Sequence, residues 1–361
     1  MCRPSSAGAT RAAPPSTLDK SSARASVGAL LAALTLAAGC TTTRDPILDR
    51  APAAVTTPFL LSHERLNPAT VATAPGPLTA EDNWFLALYT ALHSMEFEPL
   101  RVELPAADPA GDPAIAHLVL PTSDRPQPVV IVLPILGGDH FVSEAFAKAL
   151  VNRGIATARL ERRPLELRSA DSPEAVQQRF ADAVRDARRL LDWLETRPEV
   201  DSDRLGVAGI SVGSLMACLL HANDPRISAS VLVLSGGGLP KLLYESRERD
   251  VRRFRKRMVQ KYSLDSYDEF HAWVEPYVES VDPSYFAPSL EPDRVLLISG
   301  RFDRIISPAR SRELWAALGQ PDWVKLPTGH HSAIPFLWYV AGRAADHFER
   351  AFEQVAVPAA E

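Results

Sequence analysis

The stretch that decides the fold is residues 205–220, which reads LGVAGISVGSLMACLL. Its first six residues have the apolar composition of a buried strand, and the run from Leu215 to Leu220 that of a buried helix. Ser211 lies at the junction, with Gly209 and Gly213 two residues to either side. A tight strand-to-helix turn needs these glycines because it brings the two backbones close together. The pattern G-x-S-x-G in this setting predicts a serine exposed as a nucleophile.

The chain around this stretch alternates between apolar strands and amphipathic helices. One helix is predicted near 143–152. A second, with a far longer apolar stripe, is predicted after Ser172-Pro173, because proline is favoured at the first position of a helix. Strands are predicted near 97–104, 114–120, 129–133, 155–160, 205–210, 231–234, 295–298 and 323–326. This alternation predicts an α/β fold with a doubly wound, mostly parallel sheet.

The alternation breaks once, between about residues 239 and 291. That interval is rich in charged and aromatic residues and has no strong run of a buried strand. Open α/β sheets bind ligands at the carboxyl ends of their strands. We therefore predict that the interval forms a helical cap inserted over those ends.

Two later positions suit the partners of a nucleophilic serine, which follow it in the order acid and then histidine in this kind of sheet. Asp303 comes just after the strand predicted at 295–298, and His330 follows Gly329 after the last strand. His331 is the neighbouring alternative, and we favour His330 because it directly follows the glycine at the top of the loop. His140 is a weaker candidate because it precedes the serine.

A negative charge that develops on a substrate oxygen needs two backbone N–H groups as donors. Val212, directly after the nucleophile, is the first candidate. The second is in the loop after residue 133, where Ile135 or Leu136 precedes a pair of glycines. This loop resembles the His-Gly-Gly-Gly loop of many esterases, but Pro134 replaces the histidine. Whether Ile135 or Leu136 provides the second N–H group therefore stays open.

With these motifs in place, residues from about 95 to 355 resemble the α/β-hydrolase superfamily. The resemblance implies a serine hydrolase that cleaves a carboxylic ester of a small molecule through an acyl-enzyme. No metal or organic cofactor is implied, since no ligand-spaced cluster of Cys, His and Asp occurs in the sequence. A serine peptidase or an acyltransferase on the same scaffold, and a catalytically silent envelope lipoprotein, are the alternatives.

The first 39 residues have the pattern of a signal peptide, with basic residues before a short apolar run from Val27 to Ala38. The sequence Leu-Ala-Ala-Gly before Cys40 resembles a bacterial lipobox, which implies lipidation of that cysteine. We expect a bacterial envelope protein, anchored by lipid to the membrane and, without an aspartate after Cys40, in the outer membrane facing the periplasm. The alternative is an ordinary secretory signal and a secreted protein.

The remaining domain boundaries come from composition. Residues 40–77 contain six prolines and are predicted to be an extended tether, which leaves 78–361 for the catalytic domain, beginning with a helix near Thr79.

Cys218 lies in an apolar run and is expected in the core, without a disulfide.

The charge pattern excludes one class of partner and leaves one feature open. A net charge of -5 gives no indication of nucleic-acid binding. Within the predicted cap, however, residues 247–257 contain seven Arg and Lys side chains. Three interpretations of these residues stay open: a solvated helix face, a surface that binds anionic lipid headgroups, or a positive charge that attracts an acidic substrate.

Overall fold

The computed structural model describes residues 64–75, 99–106, 112–135, 140–161 and 172–356. Within these residues the strands are β1 Ala72–Pro75, β2 Leu100–Leu104, β3 Ala114–Val119, β4 Gln127–Leu133, β5 Ala156–Leu160, β6 Val200–Ile210, β7 Ile227–Val233, β8 Val295–Gly300 and β9 Asp322–Leu326. They form one sheet in the order β1-β2-β3-β5-β4-β6-β7-β8-β9. In this order the first three pairs, from β1 to β5, are antiparallel, and the remaining pairs, from β5 to β9, are parallel.

Helices cover both faces of the sheet. The helices are α1 His140–Val151, α2 Pro173–Leu194, α3 Val212–Asn223, α4 Leu239–Glu245, α5 Arg249–Tyr262, α6 Tyr267–Val278, α7 Pro283–Phe286, α8 Pro308–Ala317 and α9 Leu337–Ala356. Helices α1 and α9 pack on one face, and α2, α3 and α8 on the other, as two separate clusters of buried side chains show. Helices α4 to α7 lie in the interval predicted as the cap.

The apolar run of β4 shows why the central strands are continuously hydrophobic. Val129, Ile131 and Leu133 point into one cluster, whereas Val130 and Val132 point into the other. Successive side chains of a strand face opposite sides, so a strand with helices on both faces has to be apolar at every position. The predicted α/β sheet is therefore confirmed, and its strands end within a few residues of the predicted bounds.

The predicted tether needs a correction at its carboxyl end. Strand β1, inside residues 40–77, pairs with β2 at the edge of the sheet. Upstream of it, Leu66 is buried, and its N–H donates to the Asp192 carboxylate on α2 at 2.8 Å. Residues 64–75 therefore belong to the folded domain and not to a tether. The rest of the tether, the signal peptide, Cys40 and the helix predicted near Thr79 lie outside the described residues.

Burial shifts the pKa values of a cysteine and two histidines in the described core. Burial raises the pKa of the Cys218 thiol to about 12, which makes it the inert core residue predicted. Burial lowers the pKa of His221 to about 3 and that of His347 to about 4, because both imidazoles are packed where a charge would be desolvated. Both histidines are therefore neutral in the folded protein at neutral pH.

In the described part of the chain, none of the helices combines the length and the hydrophobicity that crossing a membrane requires.

Candidate active site

Ser211 lies on the turn between β6 and α3 in a backbone conformation that residues other than glycine rarely adopt. Its φ is 57° and its ψ is -123°, and such residues cost on the order of 1–3 kcal/mol. The Ser211 N–H donates to the Val233 carbonyl of β7 at 2.8 Å, which holds the turn against the neighbouring strand. The turn thereby places the Ser211 hydroxyl at the carboxyl edge of the sheet.

The two glycines of the motif are required by close backbone contacts. A Cβ at Gly209 would lie 2.1 Å from the carbonyl oxygen of Gly213. A Cβ at Gly213 would lie 2.5 Å from the carbonyl oxygen of Leu133, at the end of β4. Neither position can accept a larger residue unless helix α3 moves away from the sheet. The spacing noticed in the sequence therefore has a steric cause.

Asp303 is held by the loop after β8. One of its carboxylate oxygens, Oδ1, accepts the backbone N–H groups of Ile305 at 2.8 Å and of Ile306 at 3.0 Å. Its other oxygen, Oδ2, lies 2.7 Å from Nδ1 of His330. The side chain is almost fully buried, with 1% of its surface exposed. The carboxylate therefore has a fixed orientation toward the histidine.

The loops that carry the acid and the histidine are tied to each other. The Phe302 N–H donates to the Thr328 carbonyl at 2.9 Å. A Cβ at Gly300 would lie 2.7 Å from that same carbonyl oxygen, so glycine permits the approach. These contacts explain how two positions separated in the chain come together after neighbouring strands β8 and β9.

His330 links the acid to the serine. Its Nε2 lies 2.9 Å from the Ser211 Oγ, while Nδ1 faces Asp303. A histidine that donates from Nδ1 to a carboxylate leaves Nε2 as the acceptor for the serine hydroxyl. Of the two adjacent histidines, His330 is the one that the structure places between the Ser211 hydroxyl and the Asp303 carboxylate. His331 is exposed, opens a 3-10 helix over His331–Phe336 and stacks edge-on against His330. His140 begins α1, and its side chain is not described.

Of the predicted oxyanion donors, two are described. Val212 is the first residue of α3, where a backbone N–H has no partner within the helix. Ile135 follows the end of β4, and both residues line the same cavity as Ser211. Leu136 lies outside the described residues. The positive end of a helix next to the serine is suited to stabilise a negative charge on a substrate oxygen.

The serine opens into a cavity of about 390 Å³. Its described lining is apolar apart from six residues: Ser211, Ser246, Glu248, Asp250, His330 and His331. Sequence reasoning missed part of this wall. Val176 and Phe180 of α2 have the spacing of an ordinary core stripe, and nothing in that spacing indicates that they also line a cavity.

The basic cluster of residues 247–257 lies mostly on α5. Four of its exposed members, Arg249, Arg252, Arg253 and Lys256, line an open groove of about 700 Å³ in the interval predicted as the cap. We call the surface formed by these four residues the basic face. Arg253 lies 3.6 Å from Asp250. Arg255 differs from these, because its guanidinium donates to carbonyls at the end of α4, including that of Tyr244. Arg255 therefore has a structural role within the cap.

Among the described residues, no group of three or more His, Cys, Asp and Glu side chains is arranged to hold a metal ion.

This sheet, with the serine turn after β6 and the acid and histidine loops after β8 and β9, has the α/β-hydrolase fold. More narrowly, residues 115–246 match the model of the Dienelactone hydrolase family. The matched span contains Ser211 and ends before Asp303 and His330. No curated protein sequence matches the chain.

Solved structures agree on the fold. The chain is similar to an acetyl xylan esterase from Paenibacillus sp. R4, with a TM-score of 0.56 and 16% identity over 88% of this chain and 92% of that one. Acetyl xylan esterase 1 from Thermoanaerobacterium sp. JW/SL YS485 gives a TM-score of 0.52 and 16% identity, over 75% and 88%. An acylaminoacyl peptidase from Pyrococcus horikoshii gives 0.53 and 15%, over 73% and 43%. At these identities the likeness shows the fold alone.

Proposed function

We propose that the protein is a serine hydrolase that cleaves a carboxylic ester through an acyl-enzyme on Ser211. The observation that carries the proposal is the hydrogen-bonded chain from the Ser211 hydroxyl through His330 to Asp303, with distances of 2.9 and 2.7 Å. The match to the Dienelactone hydrolase family and the likeness to esterases support hydrolysis on this fold.

In the proposed reaction, Nε2 of His330 takes the proton of the Ser211 hydroxyl as its oxygen attacks the ester carbonyl carbon. The oxyanion of the tetrahedral intermediate accepts hydrogen bonds from the Val212 N–H and from the loop after β4. When the intermediate collapses, the C–O bond to the alcohol breaks and His330 returns the proton to the leaving alkoxide. Water then attacks the acyl-enzyme with His330 as base again, which releases the acid and regenerates the serine.

Asp303 has two roles in this proposal, and neither changes its own charge. It accepts the Nδ1–H of His330, which fixes the tautomer that can take a proton at Nε2. Its buried negative charge also stabilises the imidazolium that forms while the intermediate exists. The two N–H donors from Ile305 and Ile306 keep the carboxylate in place.

The strained conformation of Ser211 argues against a silent scaffold. A binding module has no need of a serine at φ 57°, whose cost the surrounding structure must offset. The conformation is useful if the hydroxyl has to be exposed at the sheet edge, next to a base and to the N–H group at the start of α3. Catalysis therefore accounts for the strain, and a purely structural role does not.

A fluorophosphonate probe tests the proposal, since it reacts with activated serines. The wild type should be labelled at one site, located at Ser211 by peptide mass spectrometry, and Ser211→Ala should not be labelled. Ser228→Ala is a matched control, because Ser228 is also buried and hydrogen-bonded but lies at the start of β7, at the opposite end of the strands. It should be labelled like the wild type. An unlabelled wild type, or labelling that survives in Ser211→Ala, would contradict the proposed function.

The cellular setting is part of the same proposal. The lipobox-like sequence before Cys40 supports a lipid anchor in the bacterial envelope, facing the periplasm. The proposed ester substrate would reach the enzyme there from the membrane or from the periplasmic space.

A further inference from the structure

The cavity beside Ser211 extends across the edge of the sheet, from one helical layer to the other. Its lining residues belong to both hydrophobic clusters, which occupy opposite faces of the sheet. Ser211 is between them, because it follows the central strand β6. The cavity therefore has an apolar wall on each side of the nucleophile.

The wall on the side of α2 and the cap, which we call the cap arm, is made of buried aliphatic and aromatic side chains. They come from three helices that line the cavity together with the serine. The members are Val176 and Phe180 of α2, Leu239, Leu242 and Leu243 of α4, and Val251 of α5. These side chains present no hydrogen-bonding groups to a substrate.

The wall on the other side, the α9 arm, has the same character. It combines residues of α1, of the 3-10 helix after His330 and of α9: Val142, Ala333, Ile334, Leu337 and Val340. Ile334 is 39% exposed, so this arm reaches solvent at that point. A chain bound across the serine would meet apolar surface in both directions.

Two of the polar lining residues outside the proposed triad already have partners. The Glu248 carboxylate caps α5 by accepting the N–H groups of Asp250 and Val251, at 2.5 and 2.9 Å. Ser246 Oγ accepts the Glu248 N–H at 3.3 Å. A sugar would need several donors and acceptors directed at its hydroxyls, because a buried hydroxyl without a partner is costly. The described lining offers few groups for that purpose.

We propose that the substrate is an ester with apolar groups on both sides of the ester bond, one in the cap arm and the other in the α9 arm. This inference rests on the proposed function and narrows its substrate to lipophilic alkyl esters. It separates this protein from an enzyme that removes acetyl groups from a carbohydrate. An acetyl group would leave most of the cavity unfilled on one side, and a sugar would desolvate its hydroxyls on the other.

The volume is consistent with two such groups. A cavity of about 150 Å³ is enough to hold benzene, and the volume here is about 390 Å³. Both arms together therefore have room for chains of several carbons. Each methylene that leaves water for an apolar pocket should raise kcat/KM by about fourfold, until the arm is full.

Two series of substrates test the inference. In the first, p-nitrophenyl esters vary the acyl chain from acetate through butyrate and octanoate to palmitate. In the second, ethyl, butyl and hexyl butyrate vary the alcohol while the reactivity of the leaving group stays nearly constant. We expect kcat/KM to rise at least tenfold along each series before it levels off or falls. Acetylated xylo-oligosaccharide should be a poorer substrate than hexyl butyrate.

Substitutions assign the arms. Leu243→Trp narrows the cap arm and Leu337→Trp narrows the α9 arm, so each should shift the optimum of one series to a shorter chain and leave the other unchanged. Leu120→Trp is the control, because Leu120 packs against the core but does not line the cavity. Should Leu243→Trp fail to fold, Val176→Phe narrows the same arm from another helix. Labelling by the fluorophosphonate probe shows in every variant whether the nucleophile is intact.

Two outcomes would overturn the inference while leaving the proposed function in place. One is a protein that reacts with the probe but prefers acetate, or shows no dependence on chain length in either series. The other is a preference for the acetylated sugar. Absence of probe labelling and of all ester turnover would instead contradict the proposed function itself.

Discussion

Replacing Asp303 by asparagine should abolish turnover without unfolding the protein, for a reason that the hydrogen bonds around the carboxylate make specific. Oδ1 accepts two backbone N–H groups, from Ile305 and Ile306, and Oδ2 faces Nδ1 of His330. An asparagine at this position has one oxygen and one NH2 group. The oxygen has to face the two N–H donors, since an NH2 group there would oppose both of them.

The NH2 group of Asp303→Asn must therefore face His330. It would donate to Nδ1, so the imidazole would carry its proton on Nε2 instead. In that tautomer Nε2 is a donor and cannot take the proton of the Ser211 hydroxyl. Substitutions of this kind in other Ser-His-Asp sites reduce kcat by about 10⁴, which corresponds to about 5.4 kcal/mol of the activation barrier. We expect a loss of this size here.

Stability should respond differently. Asparagine keeps both hydrogen bonds to Oδ1, so the free energy of unfolding should change by less than about 1 kcal/mol. Asp303→Ala is the matched comparison, because it removes the side chain that accepts the N–H groups of Ile305, which is partly buried, and of Ile306, which is buried. Each unsatisfied N–H costs about 1–3 kcal/mol. The alanine variant should therefore lose both activity and stability.

Three measurements decide between these expectations. Hydrolysis of p-nitrophenyl butyrate gives kcat, urea unfolding gives the free energy, and NMR of the imidazole nitrogens gives the tautomer of His330. The reasoning fails if Asp303→Asn retains more than about a tenth of kcat, or if His330 keeps its proton on Nδ1. It also fails if asparagine destabilises the protein as much as alanine does.

Four further predictions concern other parts of the molecule. Gly213→Ala should abolish probe labelling of the serine and lower the melting temperature, because its Cβ would lie 2.5 Å from a carbonyl oxygen of β4. Since burial holds the pKa of His347 at about 4, the unfolded state binds a proton that the folded state does not between about pH 6.5 and pH 4. The free energy of unfolding should therefore fall with decreasing pH across that window, and His347→Gln should reduce the slope by about 1.4 kcal/mol per pH unit in urea titrations. Reversing Arg252 and Arg253 to glutamate should weaken sedimentation with anionic vesicles and leave ester hydrolysis unchanged; equal sedimentation would identify the basic face as a solvated surface. Cys40→Ser should abolish incorporation of labelled fatty acid, and label that persists would refute the lipid anchor.

The sequence allowed the fold and the three central site residues to be predicted because both depend on local patterns. A strand buried on two faces is apolar at every position, and the serine turn needs glycines two residues away on each side. Asp303 and His330 could be named because parallel strands bring their carboxyl ends to one edge. The structure places both within hydrogen-bonding distance of their expected partners. None of these inferences required knowledge of a contact between distant segments.

What the sequence did not predict depends on such contacts. Strand β1 is short, exposed and contains proline, so its residues resemble a linker, and only pairing with β2 makes them part of the sheet. The anchoring of Leu66 by Asp192, 126 residues away, leaves no local pattern either. Composition alone therefore placed the start of the domain too late.

The cavity wall is the clearest case of this limit. Val176 and Phe180 have the same helical spacing and nearly the same burial as the rest of the stripe on α2, so hydrophobicity cannot separate them from core residues. They line a cavity because residues of α4 and α5 form another part of its wall and leave a space beside that end of the helix. Periodicity determines which face of a helix is buried, whereas the elements packed beyond that face determine whether it meets another side chain or a substrate. Under the proposed function, substrate selectivity would depend on how the predicted cap packs, whereas the proposed nucleophile, acid and base are predicted from the sequence without knowledge of that packing.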